Sequence, residues 1–375
     1  MHYLVQLGDG LAERGHEVEL LTARDNELVG RARHARMRAE LPRLVAGTDN
    51  PPTGLAYRVR QARVATQLVR CWARILKEAR TGRHDALITG ADFGVLPAAV
   101  GALALTAVRG RPKLIRIAHN LRRYNRWGGD DLFHRSASLD AIMKRTLPRF
   151  DLTLLPGERV RAEYERAWPS CRTAIVPHGD ERLFADEPPP PANEERVLFF
   201  GEWRKVKGLP VLMDAFDELV RRRPSSRLTI AGTPIATDAD ANAVRRWAAR
   251  HGEAVEIIDR YVPVDEVAPI FARARVVVTP YLTGAQSGVI ALAGTMGRAV
   301  VTSDVGELAT AVGHGDAGCV VPPNDPAALS AALEHVLADP DLASRYGEAG
   351  RRRAVESTSW EHAAERVEAA VQQLI

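Results

Sequence analysis

The chain has 375 residues, 46% of them hydrophobic and 26% charged, and a formal net charge of +4. That length suggests two domains, and the balance is that of a soluble globular protein. No apolar run reaches the ~18 residues that a membrane span needs. The opening MHYLVQLGDGLAERGHE has no basic stretch followed by an apolar one, so no secretion signal is expected. Cys71, Cys171 and Cys319 lie far apart with no CxxC pair, which fits buried thiols in a reducing cytosol and offers no metal site.

In chain order, short runs rich in Val, Ile and Leu alternate with longer segments of helical period. The first predicted strand is Glu17–Thr22. A segment of uneven charge follows at 58–83: Arg58, Arg60, Arg63, Arg70, Arg74, Lys77, Arg80 and Arg83 are opposed by Glu78 alone. Val64, Leu68, Trp72, Ile75 and Leu76 recur there at helical spacing. The segment reads as a basic amphipathic helix. It is either a domain helix with a solvated basic face, or a helix that lies on an anionic membrane surface or attracts an anionic substrate. The basic charge does not continue beyond it and no nucleic-acid motif accompanies it, so nucleic acid is not an expected partner.

Strands follow at Ala86–Thr89, Leu114–Ala118 and Leu152–Leu155. The segment Asp186–Glu195 (DEPPPPANEE) then breaks the pattern, because four consecutive prolines cannot join a ladder or a helix interior. It places a boundary between a domain at 1–183 and another at 184–357. Strands of the second domain are Val197–Phe200, Leu228–Ala231, Val255–Ile258, Val276–Thr279, Ala299–Thr302 and Cys319–Val321. Their near-continuous apolar character suits strands covered on both faces, and the alternation with helices predicts parallel βαβ units. The helix from Leu209 to Val220 has Pro210 in its first turn, and Asp325 before Pro326 is an N-cap signal for a helix through Leu337. Two such doubly wound domains would bind ligands at the carboxyl ends of their strands, across a cleft.

Three loops at strand ends carry the chemistry. After Phe199-Phe200, Gly201 permits a tight turn, and Arg204 and Lys207 project where a helix begins, as a diphosphate site requires. A capped loop with solvated charges fits the same residues. In Pro280-Tyr281-Leu282-Thr283-Gly284-Ala285-Gln286-Ser287-Gly288-Val289, Gln286 and Ser287 can donate hydrogen bonds, and the N–H groups of Gly288 and Val289 can face an anion. Asp304-Val305-Gly306-Glu307 is the third. The pair Asp238-Ala239-Asp240 spells a metal-binding D-x-D, but it sits among small polar residues and reads as a solvated loop, as does Gly129-Asp130-Asp131. No metal or cofactor is expected, and no carboxylate pair stands out for glycoside hydrolysis.

The sequence resembles glycosyltransferase family 4. The matching pieces are LAERGHEVELLT, IAHNL, VPHGDERLF, FFGEWRKVKGLPVLMDAF, LTIAG, YVPVDEVAPIFARARVVVTPY, AQSGVIALAGTMGRAVVTSDVGEL, GCVVPPNDPAAL and STSWEHAAERVEAAV, in the family's order across nearly the whole chain. The subgroup with an H-N-L element and a Q-S-G-V loop fits best. The resemblance implies an α/β GT-B fold of two Rossmann-like domains facing across a cleft, and a final helix, 358–375, returning to the first domain. It implies a GDP- or UDP-linked sugar donor as substrate, an acceptor of unknown identity, retention of configuration and no metal. Gly201, Arg204, Lys207, Ser287, Gly288 and Val289 would then hold the diphosphate, and Gln286 and Glu307 the donor sugar or ribose. Arg260, Tyr261 and Val262 would flank the nucleobase, and His119 would act near the transferred sugar.

Three departures stand beside the match. Gly284 and Leu292 fall near the places of a usual glutamate pair, Thr310 replaces a later glutamate with Glu307 nearby, and Met1 already lies in the first helix. The first domain is therefore expected to lack its first strand and Gly-rich loop. Two rival readings remain: a catalytically silent GT-B partner protein, and a GT-B nucleotide-sugar epimerase. The expected location is cytoplasmic, with peripheral contact at the inner membrane face through 58–83 as the second reading of that segment.

Overall fold

The computed structural model describes residues 2–42, 54–90, 101–118 and 141–374, apart from 102, 142–143, 186, 191, 193 and 236–240. The chain forms two compact units. One runs to Pro177 and takes in Trp360–Ile375, and the other spans His178–Ser359.

The first unit begins with the helix His2–Glu13, followed by strands β1 (Glu19–Ala23) and β2 (Arg36–Leu41) and the helix Gly54–Ala79. Then come β3 (Ala86–Thr89), β4 (Lys113–Ile117), β5 (Leu152–Leu155), the helix Glu158–Ala167 and β6 (Thr173–Ile175). The helix Trp360–Gln372 completes the unit. Its strands form two parallel sheets, β1-β2 and β3-β4-β5-β6. Sequence pattern missed β2 and β6. The RMRAEL of β2 has no apolar run, and side chains from elsewhere hold it. The Asp9 carboxylate accepts the backbone N–H groups of Arg33, His34 and Ala35 at 2.9 Å each, and Arg38 pairs with Glu19 and Glu78 at 2.7 and 3.0 Å.

Tyr3, Leu7 and Leu11 recur every fourth residue and give the first helix one buried face. It packs on Ile115, Ile117, Leu152 and Leu154, and on Trp360, Ala363, Ala364 and Val367 of the last helix. Gly10 permits the close crossing, since a Cβ there would lie 2.7 Å from the Trp360 carbonyl oxygen. Each fully buried side chain of this cluster adds roughly 1.5–3 kcal/mol. Among the described residues, β1 and β3 are each paired on one side only.

The second unit contains β7 (Arg196–Phe200), β8 (Arg227–Ala231), β9 (Val255–Ile258), β10 (Val276–Thr279), β11 (Ala299–Ser303) and β12 (Gly318–Val321). All six are parallel, in the order β12-β11-β10-β7-β8-β9. Val197, Phe199, Val276 and Val278 point to one apolar layer, with Leu212, Phe216 and Leu219 of the helix Leu209–Arg222 and Leu333 and Leu337 of the helix Pro326–Ala338. Leu198, Val277 and Val300 point to the other, with Val267, Phe271, Ile290 and Ala293. Both faces are covered, which is why these strands read as continuous apolar runs. The Asp325 carboxylate accepts the Ala328 N–H at 2.9 Å and caps its helix as the sequence predicts.

The proline-rich segment lies with the second unit. The buried Arg298 guanidinium donates to the carbonyls of Pro189 and Pro190 at 3.2 and 2.7 Å, and to those of Phe271 and Ala272 at 3.1 and 3.3 Å. Among the described residues no helix is long and apolar enough to cross a membrane.

Candidate anion site at the switch point of the second unit

Strand order reverses between β7 and β10, so the connections leaving these two neighbours run to opposite faces and open a crevice at their carboxyl ends. The loops singled out after Phe200 and after Thr279 leave from these two strands. Each is tied to its neighbours as well as by hydrogen bonds of its own.

Gly201 has φ 118° and donates its N–H to the Ala231 carbonyl at 2.9 Å. Trp203, fully buried, donates to the Thr233 carbonyl at 2.9 Å, which ties the loop to the one after β8. Lys205–Lys207 form a single 3-10 turn, and Gly208, at φ 70°, starts the helix Leu209–Arg222. A Cβ on Gly208 would lie 1.9 Å from the Pro280 carbonyl oxygen, so only glycine lets the two loops close. The Leu282 N–H donates to the Val206 carbonyl at 2.8 Å and completes the strap.

The strap brings Lys207 onto the second loop. Its ammonium lies 3.7 Å from the centroid of the Tyr281 ring. Tyr281 is buried, and its hydroxyl is 3.1 Å from the Ser287 hydroxyl. Ser287 is the N-cap residue of the helix Gly288–Thr295, but its side chain makes no capping bond. The N–H groups of Gly288 and Val289 have no acceptor among the described residues. A Cβ on Gly201 would meet the Val289 side chain at 4.0 Å, so the turn after β7 adjoins the start of the helix Gly288–Thr295. Arg204 is half-buried, and its guanidinium is held at 2.6 Å by the Glu202 carboxylate. Lys205 is exposed.

The third loop joins the second. The Glu307 N–H donates to the Ala285 carbonyl at 2.9 Å, and Gly306 at φ 52° lies against the carbonyls of Gly284 and Ala285. Glu307 itself is buried at the start of the short helix Leu308–Ala311. Gln286, next to Ala285, is half-buried. The loop after β9 stands two strands from β7, beyond β8. There Arg260 pairs with Glu266, Val262 is buried, and Tyr261 is 60% exposed. His119 follows β4 in the first unit and lies outside the described residues, as do Asp238, Asp240 and Gly129–Asp131.

Sequence reasoning gave no role to Tyr281, which now links Lys207 to Ser287. Its only sequence signal is an aromatic residue following Pro280 directly after an apolar strand. It also passed over His178 and Glu181, whose Nε2 and Oε1 are 3.4 Å apart beside Gly288. Burial pushes the His178 pKa down. In the first unit, the side chains of Glu19, Glu78 and His84 lie within 4.8 Å of one another, but Arg38 already pairs with both carboxylates and Arg74 with Glu78.

A parallel sheet whose strand order reverses at its middle, with helices on both faces, defines a Rossmann-like unit. The whole chain has the GT-B fold. A superposition on sucrose-phosphate synthase from Thermosynechococcus elongatus gives a TM-score of 0.73 at 20% identity, covering 99% of this chain and 92% of that one. The Anabaena protein HepE in complex with UDP gives 0.70 at 16% identity, covering 99% and 95%. Residues 2–179 match the model of Glycosyltransferase Family 4, and residues 194–339 match that of Glycosyl transferases group 1. The chain belongs to this glycosyltransferase family and is a hexosyltransferase. Alpha-maltose-1-phosphate synthase of Mycolicibacterium smegmatis is 28% identical over 274 residues, which is 66% of this chain and 70% of that protein.

Proposed function

We propose that the second unit binds a nucleotide-diphosphate sugar at the β7–β10 switch point and that the enzyme transfers the hexose with retention and without a metal ion. The observation that carries this reading is that Lys207 rests on Tyr281, whose hydroxyl reaches Ser287 at the start of a helix where the N–H groups of Gly288 and Val289 have no acceptor among the described residues. The diphosphate gains negative charge as the glycosidic bond breaks. Fixed cations and N–H dipoles aimed at that charge lower the barrier without reorganising, which is the work a divalent ion would otherwise do. Arg204 would exchange Glu202 for phosphate. Ser287, Gln286 and Glu307 line the adjoining loops, where a ribose or sugar would present hydroxyls. Tyr261 offers an exposed ring for a nucleobase. With retention, the departing phosphate takes the acceptor proton on the face it leaves, and His119 orients the sugar.

The HepE complex recommends UDP as the first ligand to try, with GDP beside it. Calorimetry with UDP and with GDP, followed by transfer assays with and without chelator, tests the reading. Saturable binding of one nucleotide and chelator-insensitive turnover are expected. Loss of turnover on chelation would refute metal independence. Donor conversion with no acceptor present would mark an epimerase instead. An inverted anomeric signal in the product would refute retention.

A further inference from the structure

The helix Gly54–Ala79 spans 26 residues and presents two faces. One is core: Cys71, Trp72, Ile75, Leu76 and Ala79 lie toward the protein, where Trp72 and Ala79 pack with Leu105 and Leu114. On the opposite side, Val59, Ala62, Thr66, Val69 and Ala73 recur at alternating three- and four-residue steps, and all five are exposed. Val59 and Val69, at 45% and 68% exposure, are two of the four exposed large hydrophobic residues among those described. Along one flank of this stripe run Arg63, Arg70 and Lys77, one every seven residues and all exposed.

These three cations have no carboxylate partner among the described residues. The only acidic side chain of the helix, Glu78, is buried and engaged by Arg38 and Arg74 at 3.0 and 2.8 Å. The acids of the neighbouring sheet are also taken. Glu19 pairs with Arg36 and Arg38, and Glu40 with Arg38 and Arg74. The face therefore combines a thin apolar stripe with uncompensated positive charge.

We infer that this face docks on an anionic lipid surface. The stripe consists of valine, alanine and threonine, so its apolar area is too small to hold a neutral bilayer, and the cations must supply most of the attraction. The same seven-residue spacing could serve a seam between two copies, but Arg63, Arg70 and Lys77 would then find no acidic residue on an identical face and would repel one another. The inference concerns the first unit alone and does not depend on the donor site.

Co-sedimentation of the full chain with vesicles tests it, using phosphatidylcholine alone and an equal mixture with phosphatidylglycerol, at low and high salt. Binding to the mixed vesicles, release by salt and little binding to the neutral ones are expected. Each basic side chain removed should weaken partition about fivefold, so R63A/R70A/K77A should lose about a hundredfold. The substituted side chains are exposed, so melting temperature and nucleotide binding should stay unchanged. R221A/R250A, exposed cations of the second unit, should pellet like the parent. Equal binding to neutral vesicles, no binding to either, or an undiminished R63A/R70A/K77A variant would overturn the inference. So would a dimer in sedimentation velocity that V59S/V69S dissolves, because the occupant would then be a second copy.

Discussion

Replacing Lys207 with alanine removes the cation that the strap between the β7 and β10 loops positions. Its ammonium rests on the Tyr281 ring and has no carboxylate partner among the described residues, so it is available to phosphate. A hydrogen bond to a charged group contributes about 1.5–3 kcal/mol, so the affinity for nucleoside diphosphate should fall about ten- to a hundredfold. The fold should tolerate the change, because a cation–π contact at a partly exposed site contributes only about 0.5–1 kcal/mol. Part of the loss should appear in kcat with saturating donor, since the leaving diphosphate is more charged in the transition state than in the ground state. Arg204→Ala should lose less, because Glu202 already competes for the guanidinium. Lys205→Ala, two residues before Lys207 on an exposed side chain, should change neither quantity. Calorimetry with UDP and GDP and steady-state transfer rates for the three variants decide the matter. A Lys207→Ala protein that binds nucleotide as the parent does would refute the assignment of this site.

Other expectations concern the scaffold around it. Tyr281→Phe keeps the ring beneath Lys207 and should leave nucleotide affinity within a fewfold, whereas Tyr281→Leu should weaken it about two- to thirtyfold; the Leu substitution should then add nothing in a Lys207→Ala background, and an additive loss would argue against coupling. Gly208→Ala forces a left-handed backbone on alanine and a Cβ against the Pro280 carbonyl, so denaturant melts should report a loss of at least about 2 kcal/mol, and an unchanged midpoint would contradict the strap. Burial alone would raise the Glu78 pKa, but hydrogen bonds from Arg38 and His84 and the charges of Arg38 and Arg74 hold it below the ordinary carboxylate value. A depressed carboxylate stabilises the fold above its unfolded pKa of about 4.3 and loses that contribution as pH falls through the folded value. Melting temperature should therefore decline below about pH 4.5; Glu78→Gln should cost about 1.5–3 kcal/mol at neutral pH and shallow the acid decline, and a parallel curve would show that Glu78 carries none of it.

Strands with an uninterrupted apolar run were legible because a parallel sheet covered on both faces imposes that composition. VLFF, VVVT and AVVT could hardly be anything else. The caps at Asp325 and Pro326, and Gly201 before its two cations, were legible because they depend on local backbone chemistry alone. Strand β2 was not, since Arg36, Arg38 and Glu40 alternate like an exposed loop until Glu19 and Glu78 arrive from distant positions to hold Arg38, while Asp9 binds the backbone of the residues just before them. Strand β6 was too short to leave a periodic signal. That the two loops share one pocket was legible, but the contacts that join them were not. The contact of Lys207 with Tyr281 follows from β7 and β10 being neighbours, and strand order is a property of long-range packing that no local pattern records. The sequence alone thus determined the alternating elements, the class of fold and the residue types suited to a diphosphate. Only the tertiary structure decided that Gly208 must admit the Pro280 carbonyl, that Ser287 turns from its helix to Tyr281, and which side of the basic helix faces solvent. Each of those outcomes depends on which distant surfaces exclude water together, and burial of that kind is settled by the whole chain at once.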